Sequence, residues 1–163
     1  MKAVADASSL IHSARVPVFW TLLRKTFQEI TIPEAVHDEI LRGRNIQSPD
    51  VPVIEQAISE GWVKVARVTF IPRLPENLGR GERESIALTE QLRVDWLLMG
   101  DLVASTTARL RGLPVRPIAC LPVYWRRKGI VSKAEATRML DDLVKSGYYL
   151  SSRDYLSVTE QII

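Results

Sequence analysis

The chain predicts an α/β fold: a small parallel sheet flanked by helices on both faces, with a helical extension at its C-terminal end. Two observations lead there. Short apolar runs at Lys2–Ala5, Glu29–Ile32, Asp95–Met99 and Val115–Ile118 alternate with longer stretches of helical period. Strands separated by helices need crossover connections, which pair the strands in parallel and lay the helices over the sheet. Beyond about residue 119 the strand pattern stops and only helical segments follow. With 163 residues the chain fits a single domain with a core of useful size.

Taken in order, Lys2–Ala5 reads as the first strand, and Ser8 or Ser9 is placed to cap the helix after it. Val16–Phe27 continues as helix, entered or broken at Pro17. Glu29–Ile32 is the second strand. Pro33 suits the first turn of the next helix, where its missing N–H is not needed. That helix runs to about Leu41, with Val36 and Ile40 on one face and Gly43 at its exit. Arg44–Pro52 is polar and aperiodic and reads as a loop. Val53–Ser59 is helical and stops at Gly61, and Trp62–Val68 alternates like a strand or hairpin arm. Ile71–Leu78, with two prolines, is a connector. Gly81–Leu92 is helix, Asp95–Met99 strand, Leu102–Arg111 helix ended by Gly112, and Val115–Ile118 the last strand. In the extension, Ser132-Lys133-Ala134-Glu135 has the form of a capping box for a helix ending near Gly147. A final helix begins at Ser151 or Ser152.

Composition narrows the function classes. The hydrophobic fraction of 46% and charged fraction of 25% are those of a soluble globular protein. A net charge of +3 is compatible with a nucleic-acid partner and equally with an ordinary solvated surface. The single cysteine, Cys120, rules out an intrachain disulfide and a thiolate zinc cluster, and fits a reducing cytoplasm. Neither a signal peptide nor a membrane span is evident. His12 and His37 are too few and too far apart for a histidine metal site. Gly79-Arg80-Gly81-Glu82-Arg83-Glu84 lacks the third glycine of a dinucleotide loop, and its glutamates would repel a pyrophosphate. A nucleophile elbow is also missing.

Four acids remain. Asp6 and Asp101 each follow an apolar strand, and ligands of open parallel sheets bind beyond strand ends. Each is also a natural helix cap. Glu39 borders the Val36–Ile40 stripe, and Glu84 lies one turn before Leu88. Glu82 competes with Glu84, because it lies one turn before Ile86 and the helical wheel does not choose between them. Carboxylates gathered in one crevice repel one another and favour a hard, oxygen-preferring cation such as Mg²⁺ or Mn²⁺.

The stretches Ala5-Asp6-Ala7-Ser8-Ser9-Leu10-Ile11, Ile32–Ile40, Gly79–Leu88 and Leu97-Leu98-Met99-Gly100-Asp101, with Ala108–Val115, resemble PIN-domain motifs. The tail from Lys128-Gly129-Ile130 to Lys145-Ser146-Gly147-Tyr148 is similar to that of a little-characterised PIN subgroup. The resemblance covers nearly the whole chain. It implies a metal-dependent endoribonuclease of the kind seen in VapC-type toxins, binding Mg²⁺ or Mn²⁺ and cutting RNA. It implies Asp6, Glu39, Glu84 and Asp101 as catalytic metal ligands, with Ser8 supporting the first and Glu82 in reserve. A homodimer and a small silencing antitoxin are implied as partners.

The chain departs from the subgroup in one place. Gly100 stands where a second consecutive aspartate is common, and Ser105 where an arginine follows. A PIN-like scaffold that binds nucleic acid or protein without cutting is therefore the alternative. Arg80, Arg83, and the cluster Arg126-Arg127-Lys128 beside Trp125 are the candidate nucleic-acid contacts, by charge and stacking.

Overall fold

The computed structural model describes residues 1–163. Its five strands are β1 (Lys2–Ala5), β2 (Glu29–Pro33), β3 (Val63–Ala66), β4 (Trp96–Leu98) and β5 (Val115–Arg116). Its nine α-helices are α1 (Ala7–Ala14), α2 (Pro17–Thr26), α3 (Glu34–Leu41), α4 (Asp50–Ser59), α5 (Arg80–Leu92), α6 (Leu102–Leu110), α7 (Leu121–Arg127), α8 (Lys133–Lys145) and α9 (Ser152–Ile162). The strands form one sheet in the order β3-β2-β1-β4-β5, and every pairing is parallel. The fold is an α/β arrangement of one parallel sheet between helices, with a helical C-terminal region.

Strand alternation divides the core. Ala3, Ala5, Ile30, Ile32 and Leu98 face a cluster of 31 buried residues built with α1–α4 and α7–α9. Val4, Leu97, Met99 and Val115 face a second cluster of only 10, built with α5, α6 and the connector residues Leu74 and Leu78. Both sheet faces are covered, as all-parallel sheets require. The extension belongs to the larger side. Trp125 is fully buried, packs edge-to-face on Phe19 with ring centroids 4.8 Å apart, and donates from Nε1 to Thr26 Oγ1 at 2.8 Å.

Several local expectations shift. Asp6, rather than either serine, caps α1. Pro33 ends β2 in extended conformation and precedes α3 instead of lying in its first turn. The expected loop at Arg44–Pro52 is ordered at both ends. A 3-10 helix spans Arg42–Ile46, and α4 already begins at Asp50. Gly43 sits inside that short helix, where a Cβ would lie 2.9 Å from Val51 Cγ2, so the glycine permits close packing rather than marking the exit. Asp50 anchors this region by accepting from Arg15 Nε at 2.9 Å and from the Ser48 hydroxyl. The run from Trp62 is a single edge strand paired in parallel with β2, and not a hairpin arm.

The expected capping box is present: Glu135 N donates to Ser132 Oγ at 3.2 Å, and Ser132 N donates to Glu135 Oε2 at 2.7 Å. Ser132→Ala leaves the first turn of α8 without one acceptor. It is expected to lower stability by about 1 kcal/mol, read from the midpoint of a denaturant melt.

Candidate functional site

In the order β3-β2-β1-β4-β5 the chain reverses direction of growth between β1 and β4. Beyond the carboxyl ends of those two strands lies the crevice where open α/β sheets bind ligands. Asp6 follows β1 directly, and its N–H donates to Leu98 O of β4 at 3.0 Å. Its Oδ1 accepts from Ser9 N at 2.7 Å and its Oδ2 from Gly100 N at 3.3 Å. The carboxylate is thus clamped across the switch point. Asp6 is buried, and burial pushes its pKa up. Ser9 and the Gly100 N–H offset part of that rise, while the charge of Glu82 adds to it.

Asp101 is exposed and caps α6, with Oδ1 accepting from Ala104 N at 2.9 Å. Both aspartates are therefore helix caps, Asp6 of α1 and Asp101 of α6. Glu82, in the first turn of α5, accepts from Gly79 N at 2.8 Å. Its pKa is raised, first by burial and then by the charges of Asp101 and Glu39, against the pull of the Gly79 N–H. Glu39 is exposed on α3 and lies over α5, where a Cβ on Gly81 would come within 3.2 Å of its Oε2. Glu82 thus feels Asp101 and Glu39, and Asp6 feels Glu82.

Glu84 does not join them. It is buried, its Oε2 accepts from Ala35 N at 3.1 Å and its Oε1 from Arg80 Nε at 2.8 Å. It ties α5 to the first turn of α3. Residues two apart on a helix are separated by roughly 200°, so Glu82 and Glu84 cannot face the same way. Ser8 is likewise exposed, and Ser9 is the serine in contact with Asp6.

The basic candidates separate too. Arg80 pairs with Glu84 and lies 3.8 Å from Asp38. Arg83 lines an open cleft with Arg73, Leu74, Pro75 and Glu76, on the helix that carries Glu82. Arg126, Arg127 and Lys128 lie at the opposite end of the sheet. Tyr124, in the same helix, packs on Trp96 at the start of β4, and Lys128 Nζ sits 5.8 Å from the Tyr124 ring. Trp125 is fully buried and offers no face to a base. Cys120 is half-buried, and burial pushes its thiol pKa up.

The donor chemistry of the four crevice acids suits a hard divalent cation, because all are carboxylates and two are disfavoured as unneutralised charges. They form no closed cage: no three His, Cys, Asp or Glu side chains are grouped closely enough to hold an ion as they stand. Asp6 is held by two N–H groups, so any closing-in falls to the more exposed Glu39, Glu82 and Asp101. At the departure from the subgroup, Ser105 Oγ donates to Met99 O at 3.2 Å and so ties α6 to the end of β4. A Cβ on Gly100 would lie 2.9 Å from Tyr148 Oη. Tyr148 has no role in the reading of the sequence. Its only signal there is its place in the Lys145–Tyr148 stretch.

An all-parallel sheet between helices, with its switch point between β1 and β4, is the α/β arrangement of the nuclease-type PIN fold. A family model described as a PIN domain matches residues 2–162, and the chain belongs to that family. Among solved structures, it is similar to a PilT N-terminus domain protein from the archaeon Sulfolobus solfataricus P2. Identity there is 17%, over 93% of this chain and 98% of that one, with a TM-score of 0.53. A domain of a functionally unknown protein from Methanocaldococcus jannaschii DSM 2661 shares 21% identity over 71% of this chain and 89% of that one, with a TM-score of 0.47. No curated protein matches the sequence. No helix is long and apolar enough to cross a membrane.

Proposed function

We propose that the chain is a metal-dependent endoribonuclease of the VapC type, acting at the β1/β4 crevice. One observation carries the reading: at the switch point of a PIN fold, Glu82 lies within electrostatic reach of Asp6, Asp101 and Glu39. Asp6 and Asp101 are the proposed direct ligands of Mg²⁺ or Mn²⁺, with Glu82 and Glu39 binding directly or through water. When bound, the ion supplies a lowered water pKa and charge neutralisation at the phosphoryl group. The chain's own part is to hold the Asp6 carboxylate rigid between Ser9 and Gly100 and to set Asp101 by its cap on α6. Glu82 and Glu39 orient an attacking water or accept its proton. Arg83 and Arg73, which line one open cleft, are the side chains proposed to offer charge to the phosphodiester backbone.

A second reading has an observation of its own. The acids do not form a closed cage, which suits a scaffold that binds RNA without cutting it. Incubation of the protein with single-stranded RNA and Mn²⁺, with and without EDTA, separates the two. Cleavage that EDTA abolishes is expected. RNA bound but left intact at saturating Mn²⁺ would sink the enzyme. For partners, we propose by the same likeness a homodimer and silencing by a small antitoxin. The exposed Leu102, Val103 and Leu110 of α6 offer apolar surface to either.

A further inference from the structure

The acid crevice has one wall that comes from the C-terminal extension. After α8 the chain turns through Ser146 and Gly147 and delivers Tyr148 to the mouth of β4. The turn is held against α1: Ser146 O accepts from an Arg15 guanidinium N–H at 3.1 Å, and Ser146 Oγ lies 3.2 Å from His12 Nδ1. Gly147 has φ +97, a conformation that favours glycine, and Tyr148 N donates back to Leu143 O at 3.2 Å. The Tyr148 ring stacks edge-to-face on His12 at 5.7 Å. Only 7% of the residue is exposed, so its direction is fixed by packing.

That direction is toward Gly100. A Cβ there would be 2.9 Å from Tyr148 Oη, 3.6 Å from Cζ and 3.7 Å from Cε2, so the phenol fills the place of a side chain at this position. The N–H of the same Gly100 donates to Asp6 Oδ2. Tyr148 Oη therefore lies against the residue whose N–H holds Asp6 Oδ2. Burial, reinforced by the Asp6 charge, pushes the phenol pKa up.

We propose that Tyr148 is a positioning residue of this site: its phenol, carried in by the C-terminal extension and packed against Gly100, keeps the Gly100 N–H aimed at the Asp6 carboxylate for metal binding. The proposal rests on the reading of Asp6 as a ligand. It makes the extension part of the functional site. It also accounts for the glycine at position 100, since a larger residue and the phenol cannot share the space.

Tyr148→Phe keeps the ring and removes only the hydroxyl. Two readouts on the whole chain test it, alongside a thermal melt. The metal-free ¹H–¹⁵N spectrum is expected to show the Gly100 amide displaced. Titration with Mn²⁺ is expected to show affinity weakened about tenfold, the scale on which partners of ligands act. Gly100→Ala, which pushes the hydroxyl aside without altering Tyr148, is expected to weaken Mn²⁺ binding in the same direction and serves if the phenylalanine variant does not fold. An unmoved Gly100 amide, or unchanged Mn²⁺ affinity in a folded variant, overturns the positioning role. Should the unaltered protein bind no Mn²⁺ while the Gly100 amide still shifts, the metal reading falls and the positioning of Gly100 by Tyr148 stands.

Discussion

Asp6→Asn is expected to abolish RNA cutting and, at the same time, to raise the melting temperature of the metal-free protein at neutral pH. The carboxylate is buried beside the charge of Glu82, and its pKa is raised in the folded state. A raised acid pKa means that folding favours the protonated form. The stability this confers is fully present below the ordinary value of 3.8 and is lost as pH rises through the folded-state pKa. At neutral pH the wild-type protein carries that cost. Asparagine removes it while its side-chain oxygen still accepts a backbone N–H.

Cutting should fall by at least about a hundredfold, the scale on which removal of one transition-state-stabilising group acts. The difference in melting temperature between variant and wild type should shrink toward acid pH, where wild-type Asp6 is itself protonated. Saturating Mn²⁺ should reverse the order of stability, because only the wild type gains from the ion. A variant that cuts as well as the wild type rejects Asp6 as a ligand. One that melts lower at neutral pH shows that its two N–H clamps outweigh the buried charge.

The second expectation separates two glutamates that the sequence leaves level. Glu82→Gln should cost cutting by a similar factor and leave the fold intact. Its raised pKa has the same sign as that of Asp6, so neutralising it relieves repulsion from Asp101 and Glu39. Glu84→Ala should do the reverse. It leaves the buried Ala35 N–H without an acceptor, an omission that costs about 1–3 kcal/mol. The lost pair with Arg80 adds little, because that guanidinium is largely exposed. Cutting per folded molecule should persist. Rates normalised to the folded fraction, with denaturant melts of both variants, decide the matter. Loss of cutting in folded Glu84→Ala with full activity in Glu82→Gln would restore Glu84 as the middle acid.

The strands could be read in the sequence because each is a short apolar run bounded by helical period. The switch-point acids followed from their places after two of those runs. The wheel of α5 could not rank Glu82 against Glu84, since both borders of its apolar face look alike until α3 packs on one of them. Ser8 and Ser9 were equivalent for the same reason: only the turn from β1 into α1 exposes the first and buries the second. Arg126–Lys128 looked like a nucleic-acid contact because charge and an aromatic residue are adjacent in the chain. The fold instead inserts Trp125 between α7 and α2 and leaves the charges at the far end of the sheet.

By itself, the sequence determined the α/β class, the alternation of elements and the two aspartates at strand ends. These follow from local periodicity and chain order, which involve only neighbouring residues. Tertiary structure decided that Glu84 is tied to α3 while Glu82 feels Asp101 and Glu39, and that Tyr148, 142 positions after Asp6, closes over Gly100. Those choices depend on how one helix packs against another. Side chains distant in the chain share an environment only once the sheet has brought β1 and β4 together.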